Sequence, residues 1–596
     1  MTVTEQRLWT SPDQRVLIEE LDRLHACLGG EPAAESVPAD GSRLAQLVEV
    51  FRLTGFERDV LLWCAGAELD GRFSRPTFGA ALAALDAGHW DALAHAAPLR
   101  HWCLVDLGPG PGLVDRPLRI DERVLHHLTG VTCLDARLDG IVTAVPAGAG
   151  LVTQAQADLA GQLAATVAAR PGRMTVRLDG ADEQTRERVA GHVAAELGRL
   201  LLVVPGGQLP AVGPDAALLA RLVEREVALL GALPLITDAP AAFVAQLGCP
   251  VLVTGTTAAD VERTVPSPTV ADQRELWRQL TGPRDDIDET AASFRFEVAA
   301  IETIARDLET GSLDTGGLHH ACRVRSRSGL AELADRVEPY AAWDDVVLPP
   351  PALDALRDIA GQVRHRTRVY EQWGMGSPRG LGVTALFTGE SGTGKTLAAE
   401  VLAAELDLDL YRIDLAAVVS KYIGETEKNL KRVFDAADAS GAILLFDEAD
   451  AIFGKRGEVR DSHDRYANLE ISYLLQRMET HRGLAILTTN LKSALDRAFL
   501  RRIRFVVTFP FPDPAARARI WQRMFGPKVP IDGLDWRLLG RLQLSGGNIR
   551  TIALGAAFLA AAADEPVGMA HVLAATRREY AKLDKTLTDT EIGGWA

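Results

Sequence analysis

The sequence lacks paired cysteines, and it has no lysine before Lys395. Its six cysteines are scattered, with no C-x-x-C spacing among them. This pattern is typical of buried thiols in a reducing compartment. All nine lysines lie at or after Lys395, although arginine occurs throughout. The skew supports, without deciding, a need for the compact charge of lysine at the positions that keep it.

Long apolar runs and an excess of positive charge are also missing. No stretch of about 18 apolar residues is evident, so we expect no membrane span. The N-terminus has no basic segment followed by an apolar run, so we expect no secretory signal and a cytoplasmic protein. The formal net charge of −16 disfavours nucleic acid as the main partner, although a local basic pore would still be compatible with it.

What the sequence does contain is a glycine-rich loop between an apolar strand, 385–388, and a helix that runs to 406. Its glycines let backbone N–H groups face anionic oxygens, and the helix N-terminus favours negative charge. In this G-x-x-x-x-G-K-[ST] spacing, the lysine reaches the β- and γ-phosphates and the last hydroxyl binds Mg²⁺. We therefore predict an ATP and Mg²⁺ site formed by Gly389, Glu390, Ser391, Gly392, Thr393, Gly394, Lys395 and Thr396.

Two carboxylates follow a second apolar strand, 443–446. Ligands bind at the carboxyl ends of strands in open parallel sheets, which favours a chemical role for Asp447 and Glu448. We expect Asp447 to hold Mg²⁺ together with Thr396, directly or through water, and Glu448 to polarise the attacking water. The alternative is that the acidic pair only caps the next helix. The two motifs together predict an ATP hydrolase.

Periodicity divides the chain into successive segments of an α/β protein. Helices and short strands favour a winged-helix-like domain in 1–150, a fold that binds DNA or protein. Residues 151–335 repeat the strand–helix order without a G-K-[ST] loop, which favours a degenerate ATPase-like domain over an unrelated Rossmann-like one. We predict that residues 336–512 form the competent P-loop core with a parallel sheet. Residues 513–585 are expected to form a helical lid, and residues 586–596 a frayed tail.

Two local predictions concern turns and linkers. The turn at 108–112, rich in glycine and proline, predicts a hairpin whose second strand is Leu113-Val114. The segment 343–351 ends in three consecutive prolines, which predicts a stiff, extended linker.

Further motifs make the chain similar to AAA+ ATPases. Thr488-Thr489-Asn490 ends a strand as the sensor 1 motif does, so the resemblance implies that Asn490 places the lytic water. Arg504 falls at the position of the family's arginine finger, which acts on the γ-phosphate held by the adjacent subunit. Arg501 and Arg502 are neighbours that can share the role. The alternative is a set of surface arginines.

The resemblance extends to a pore loop. Lys421, Tyr422, Ile423 and Gly424 match the lysine–aromatic–apolar–glycine order of the first pore loop in the classical AAA clade. It implies that Tyr422 lines the channel of a ring and grips a threaded polypeptide through its rigid apolar ring. A tyrosine before glycine is otherwise an ordinary turn residue. In the lid, Arg550 is a candidate for a sensor 2 residue.

A closer resemblance covers nearly the whole chain. It is to the AAA+ ATPases encoded beside contractile injection systems, the phage-tail-like particles, which carry a winged-helix domain, a degenerate AAA domain and one competent AAA domain. It implies a role in assembling, loading or recycling such particles, and therefore a protein client among injection-system components. The segments that carry it are 56–62, 117–125, 409–415, 461–468 and 504–512.

The sequence leaves three functions open. The first is ATP-driven remodelling or threading of a protein client by a homo-oligomeric ring, expected to be a hexamer. The second is a nucleic-acid-associated ATPase that uses the winged-helix domain. The third is a nucleotide-switched assembly scaffold with little turnover. The acidic balance and the aromatic pore loop favour the first function.

Overall fold

The computed structural model places the described residues in two compact units. The first unit comprises Met1–Pro268 with Glu297–Ala299, and the second comprises Thr269–Phe296 with Ala300–Ala596. Each unit carries a six-stranded, mainly parallel sheet with helices, which confirms the predicted α/β class. The described residues are 11–30, 41–170, 172–210, 212–311, 317–327, 330, 333–375, 382–415, 425–447, 449, 473–490, 500–593 and 595.

Several helices in the first unit start where a side chain caps them. Ser11 and Thr54 accept hydrogen bonds from backbone N–H groups of the first turn, and Gln14 and Glu57 bond back to the cap residues. These reciprocal bonds satisfy N–H groups that the helix itself leaves unpaired. The helices are Pro12–Leu28 (α1), Arg43–Phe51 (α2), Gly55–Leu69 (α3), Phe78–Ala84 (α4), Pro98–His101 (α5), Glu122–Leu128 (α6), Gln154–Ala168 (α7), Glu183–Glu196 (α8), Pro214–Leu230 (α9) and Ala241–Val244 (α10).

The predicted hairpin exists, but its second strand lies further along the chain. Val105–Leu107 (β1) pairs antiparallel with Leu118–Ile120 (β2) rather than with Leu113-Val114. The reason is tertiary: the Val114 carbonyl accepts a hydrogen bond from the Gly79 N–H at 2.9 Å. The winged-helix likeness of this region stays a prediction.

The two six-stranded sheets have the same topology. Within each sheet, the strands counted in chain order lie side by side as sixth, second, fifth, fourth, third and first. The first strand is antiparallel to its neighbour in both, and the other pairs are parallel. The strands are Thr143–Val145 (β3), Met174–Gly180 (β4), Leu200–Pro205 (β5), Ala232–Thr237 (β6), Pro250–Val253 (β7) and Val261–Val265 (β8) in the first sheet, and Asp335–Val337 (β9), Val383–Thr388 (β10), Leu410–Asp414 (β11), Ile443–Asp447 (β12), Leu484–Thr489 (β13) and Phe505–Thr508 (β14) in the second.

The second unit begins earlier than the sequence predicts. Residues 269–296, which we expected within 151–335, belong to this unit. The Arg295 N–H donates to the Ala439 carbonyl at 3.1 Å, and Gly441 approaches the Ser293 carbonyl so closely that a Cβ would lie 2.2 Å from it. The helices of this unit are Val270–Thr281 (α11), Ile287–Ser293 (α12), Val298–Glu309 (α13, which begins in the first unit), Gly317–Ser326 (α14), Pro350–Thr367 (α15), Lys395–Leu406 (α16), Glu425–Ser440 (α17), Pro514–Met524 (α18), Trp536–Leu539 (α19), Gly546–Ala563 (α20), Met569–Lys582 (α21) and Asp589–Ile592 (α22).

The proline-rich segment before the second sheet starts a helix instead of remaining extended. Pro349 is the N-cap residue of α15, and Pro350 and Pro351 are its first two residues. The prediction was wrong because the first N–H groups of a helix have no intrahelical partner, and the fixed φ of proline suits that first turn.

The C-terminal tail is attached to the lid rather than frayed. The Glu591 carboxylate accepts hydrogen bonds from the Tyr580 hydroxyl at 2.8 Å and from the Gln543 N–H at 3.2 Å. Because the partners lie on other lid segments, no local sequence pattern indicates this attachment. These bonds hold α22 against the lid.

Helix α20 of the lid is the exception to the expected absence of long apolar helices. Among the described residues, it alone is long and apolar enough to cross a membrane by length and composition, with 28% of the window buried. One of its faces packs in the lid core through Ile549, Ile552 and Ala556. Core packing therefore explains part of its apolar character.

A buried ionic cluster joins the helical part of the first unit to its sheet-bearing part. The fully buried Arg225 guanidinium on α9 contacts Asp121 at 3.2 Å and also bonds to Asp135. Next to it, Arg123 and Glu226 pair at 3.0 Å. Residues 121–135 and α9 are thus fastened together across the boundary that we predicted at residue 150.

We expect Arg225→Met to loosen this joint, because Asp121 and Asp135 lose the buried one of their two guanidinium partners and keep only Arg137, at a cost of at most about 3–5 kcal/mol. Hydrogen exchange should show less protection in α6 and α9. The control is Arg221→Met on the same helix, which removes a cation outside the cluster. Equal protection in the two variants would contradict the importance of the cluster.

Candidate functional site

The glycine-rich loop joins the end of β10 to the start of α16. Gly392 and Gly394 have φ values of +77° and +101°, in the left-handed region that favours glycine. A Cβ on Gly392 would lie 2.6 Å from the Ser545 hydroxyl oxygen of the lid. At the entrance to the loop, the Gly389 N–H donates to the Thr489 carbonyl at 3.2 Å. The loop is therefore bounded by the lid and by the end of the neighbouring strand.

Lys395 connects the loop to the predicted sensor residue. Its side-chain ammonium Nζ donates to the carbonyls of Gly389 at 2.7 Å and Glu390 at 3.0 Å. It also donates to Asn490 Oδ1 at 2.8 Å, across 95 residues of sequence. Lys395 is only 8% exposed, so these oxygens compensate a nearly buried positive charge. The structure thus brings together two residues that the sequence assigned to the same site.

Asp447 is held at the same edge of the sheet by Thr488, a residue to which the sequence analysis assigns no role. The Thr488 hydroxyl donates to Asp447 Oδ1 at 2.6 Å. Strands β12 and β13 are parallel neighbours, and the pairing of Phe446 with Leu487 places the next two residues side by side. The sequence signal for this contact is that Thr488 directly follows the apolar run of the adjacent strand, at the position beside Asp447. This bond orients the carboxylate.

The arrangement fits a nucleotide with Mg²⁺. Gly392 and Gly394 shape a backbone loop at a helix N-terminus, and Lys395 supplies a cation for phosphate oxygens. The Thr396 hydroxyl and the Asp447 carboxylate are hard oxygen donors of the kind that Mg²⁺ takes when phosphates provide its other ligands. Glu448 lies outside the described residues, as do Lys421, Tyr422, Ile423 and Gly424.

The lid helix contacts the loop directly. The Gly547 N–H at the start of α20 donates to the Gly392 carbonyl at 3.0 Å. A Cβ on Gly547 would approach Gly392 Cα to 3.3 Å, so glycine suits this close approach. Burial raises the pKa of Glu400 on α16, and the charge of Arg550, further along α20, offsets only part of that rise. The sensor role of Arg550 stays a prediction.

Arg504 lies away from the phosphate loop of its own chain. Its backbone N–H donates to both the carbonyl and the hydroxyl oxygen of Thr384, each at 3.1 Å. Thr384 is near the beginning of β10, and the loop follows Thr388 at the other end of the strand. Four residues of strand span roughly 13 Å. The structure does not bring Arg504 together with Lys395.

The neighbours of Arg504, Arg501 and Arg502, are exposed, and Arg502 pairs with Glu479 at 3.1 Å.

The equivalent place in the first unit has no phosphate loop. Only Ala181 and Asp182 separate β4 from α8. The Asp182 carboxylate accepts a hydrogen bond from the Thr185 N–H at 2.8 Å and so caps the N-terminus of α8. Arg186 donates to the Ala181 carbonyl at 2.7 Å, and burial, with Asp182 nearby, raises the pKa of Glu297 beside it. This two-residue connection thus has no glycine-rich loop of the kind formed by Gly389–Thr396.

Two protein families match parts of the chain. The model of the ATPase family associated with various cellular activities (AAA) matches residues 385–513, which contain the loop, Asp447 and Arg504. The model of the contractile injection system ATPase helical domain matches residues 269–328, the segment that carries α11 to α14.

Curated relatives match part of the chain. An uncharacterised AAA family ATPase of Sinorhizobium fredii is 32% identical over 235 residues, 38% of this chain and 68% of the relative. A proteasome-activating nucleotidase of Methanopyrus kandleri is 28% identical over 38% of this chain and 54% of the relative. The ATP-dependent zinc metalloprotease FtsH 3 of Sphaerobacter thermophilus is 32% identical over 40% of this chain and 48% of the relative. The chain thus spans only about half the length of the last two.

The fold, the loop and these matches define an ATP-binding hydrolase, and the chain belongs to the AAA family of ATPases. With the helical domain included, it is an AAA+ ATPase of the contractile injection system type. The resemblance to the ATPases of contractile injection systems, inferred from the sequence, is thus confirmed for the family.

We expect Lys395→Ala to abolish ATP binding, because it removes the cation that lies among the loop carbonyls. Equilibrium titration with a fluorescent ATP analogue measures the loss directly. Lys428→Ala, an exposed lysine on α17, is the matched control and should bind normally. Undiminished binding or turnover in Lys395→Ala would show that the site is elsewhere.

Proposed function

We propose that the protein is a ring-forming ATPase, a homohexamer, that remodels or threads a protein client linked to a contractile injection system. The observation that carries this proposal is the separation of Arg504 from the phosphate loop along β10. An arginine that is fixed at the far end of the strand cannot serve its own loop, but in a ring it can serve that of a neighbour. Each hydrolytic site then needs two protomers.

In this proposal, each residue at the carboxyl edge of the sheet has one task. Lys395 exchanges carbonyl oxygens for phosphate oxygens when nucleotide binds, and Thr396 and Asp447 hold Mg²⁺. Glu448 accepts the proton of the attacking water, while Asn490 places that water. The hydrogen bonds from Lys395 to Asn490 and from Thr488 to Asp447 support this assignment, because they hold the named groups at one edge.

The proposal of a protein client has independent support. The matched helical domain is named after contractile injection systems, and two relatives are named as a proteasome activator and a protease. We assign the grip on the client to Tyr422, in the segment that leads into α17. The net charge of −16 favours a protein over a nucleic acid as client. The site of action is the cytoplasm.

Arg504→Ala should lower kcat for ATP by about a thousandfold or more, because the transition-state charge loses its cation. ATP affinity should stay nearly unchanged, since the finger acts after binding. The steady-state hydrolysis of the assembled ring measures this effect. Arg357→Ala, an exposed arginine on α15, is the control. A variant that keeps full turnover would exclude Arg504 as the finger.

The client class can be tested with defined probes. Unfolded casein should stimulate ATP hydrolysis, and duplex DNA should not. Tyr422→Ala should keep basal hydrolysis but lose the casein response, because the ring then lacks its aromatic contact with the polypeptide. Stimulation by DNA alone would favour the nucleic-acid alternative.

Glu448→Gln should bind ATP yet lose turnover by roughly a hundredfold or more. If the wild type itself hardly turned over, the scaffold alternative would stand.

A further inference from the structure

The Arg504 side chain lies on an aromatic residue that none of the motifs includes. Its guanidinium carbon Cζ is 5.7 Å from the ring centroid of Tyr370. Its Nη1 also donates a hydrogen bond to the Tyr370 hydroxyl. The two residues are 134 positions apart in sequence, so only the fold brings them together. We infer that Tyr370 is a positioning residue for Arg504, an inference that rests on the proposed finger role.

Together, the contacts fix Arg504 at both of its ends. The backbone N–H is held by Thr384, and the guanidinium is held by the ring and hydroxyl of Tyr370. A long arginine side chain without such contacts samples many rotamers, and that freedom is lost when it binds an anion. A side chain that is already ordered loses less, which is the advantage of preorganisation in catalysis.

The contact with Tyr370 leaves Arg504 able to bind an anion. The hydroxyl takes one hydrogen from Nη1, whereas a guanidinium carries further N–H donors on its other nitrogens. The contact with the ring, 5.7 Å from the guanidinium carbon to the centroid, involves no hydrogen-bond acceptor and so occupies no further N–H donor. Tyr370 and the phosphate of a neighbouring protomer can therefore be bound at the same time. For this reason, we assign the contact a positioning role rather than an inhibitory one.

Tyr370 stands on a well-anchored support. It belongs to a π-helical turn, Arg368–Gln372, that follows α15, a local form that recurs at functional sites. One turn earlier, Arg366 donates to the Arg482 carbonyl at 2.7 Å and to the Ala292 carbonyl at 3.1 Å. Tyr370 forms part of the wall of a small cavity together with these three residues. The support thus ties the finger to the start of β13 and to α12 of the helical domain.

The test compares Tyr370→Ala and Tyr370→Phe in the full-length protein. Tyr370→Ala should lower kcat for ATP roughly tenfold with KM unchanged, because the guanidinium loses its alignment. Tyr370→Phe keeps the ring and should retain more activity than Tyr370→Ala. The control is Tyr340→Ala, since Tyr340 is 83% exposed and hydrogen-bonds to Glu338 instead of an arginine. Native mass spectrometry verifies that every variant forms the same assembly.

A second measurement separates positioning from a general structural role. In an Arg504→Ala background, Tyr370→Ala should cause no further loss, because the residue it positions is gone. An equal loss in both backgrounds, or unchanged turnover in Tyr370→Ala alone, would overturn the inference. Faster turnover in Tyr370→Ala would also overturn it, since the contact would then restrain the finger. Full activity of Arg504→Ala would instead reject the proposed function, and this inference with it.

Discussion

A single strand, β10, fixes the distance between the phosphate loop and Arg504. The loop follows the carboxyl end of the strand, and the amino end accepts the backbone N–H of Arg504 through Thr384. The buried strand pairs in parallel with β13 on one side and β14 on the other, and this pairing fixes its register. Because the chain cannot shorten this distance, the proposed chemistry requires a second protomer. Every further assignment, including the role of Tyr370, depends on this constraint.

The two sheets show that one topology can be built with and without a glycine-rich loop. Their strand orders are the same, down to the antiparallel first strand. The difference lies in the connection after the second strand, which is a loop of glycines before Lys395 in one sheet and only Ala181-Asp182 in the other. The helix N-terminus that favours phosphate in the second sheet is occupied by the Asp182 carboxylate in the first. Fold and chemistry are therefore separable, and the site is decided by a few residues.

The sequence predicted those features that depend on local spacing. The loop, Asp447 and the helix Lys395–Leu406 follow from short motifs in which neighbouring residues carry the signal. Features that depend on distant partners were missed or misplaced. Pro350 begins a helix because of its position in the first turn, the second strand of the hairpin is displaced by the Gly79 contact, and the tail is held by Glu591. Thr488 and Tyr370 gain their roles only from partners far away in sequence.

The most direct measurement of the shared site is subunit mixing. Lys395→Ala protomers keep the arginine and Arg504→Ala protomers keep the loop, and neither ring alone should hydrolyse ATP. In a randomly mixed ring at equal ratio, about a quarter of the seams pair an intact loop with an intact arginine. The account predicts that turnover recovers to about a quarter of the wild-type rate in the mixture. Mixed rings of verified composition that remain inactive would contradict it, since loop and arginine would then have to belong to the same protomer.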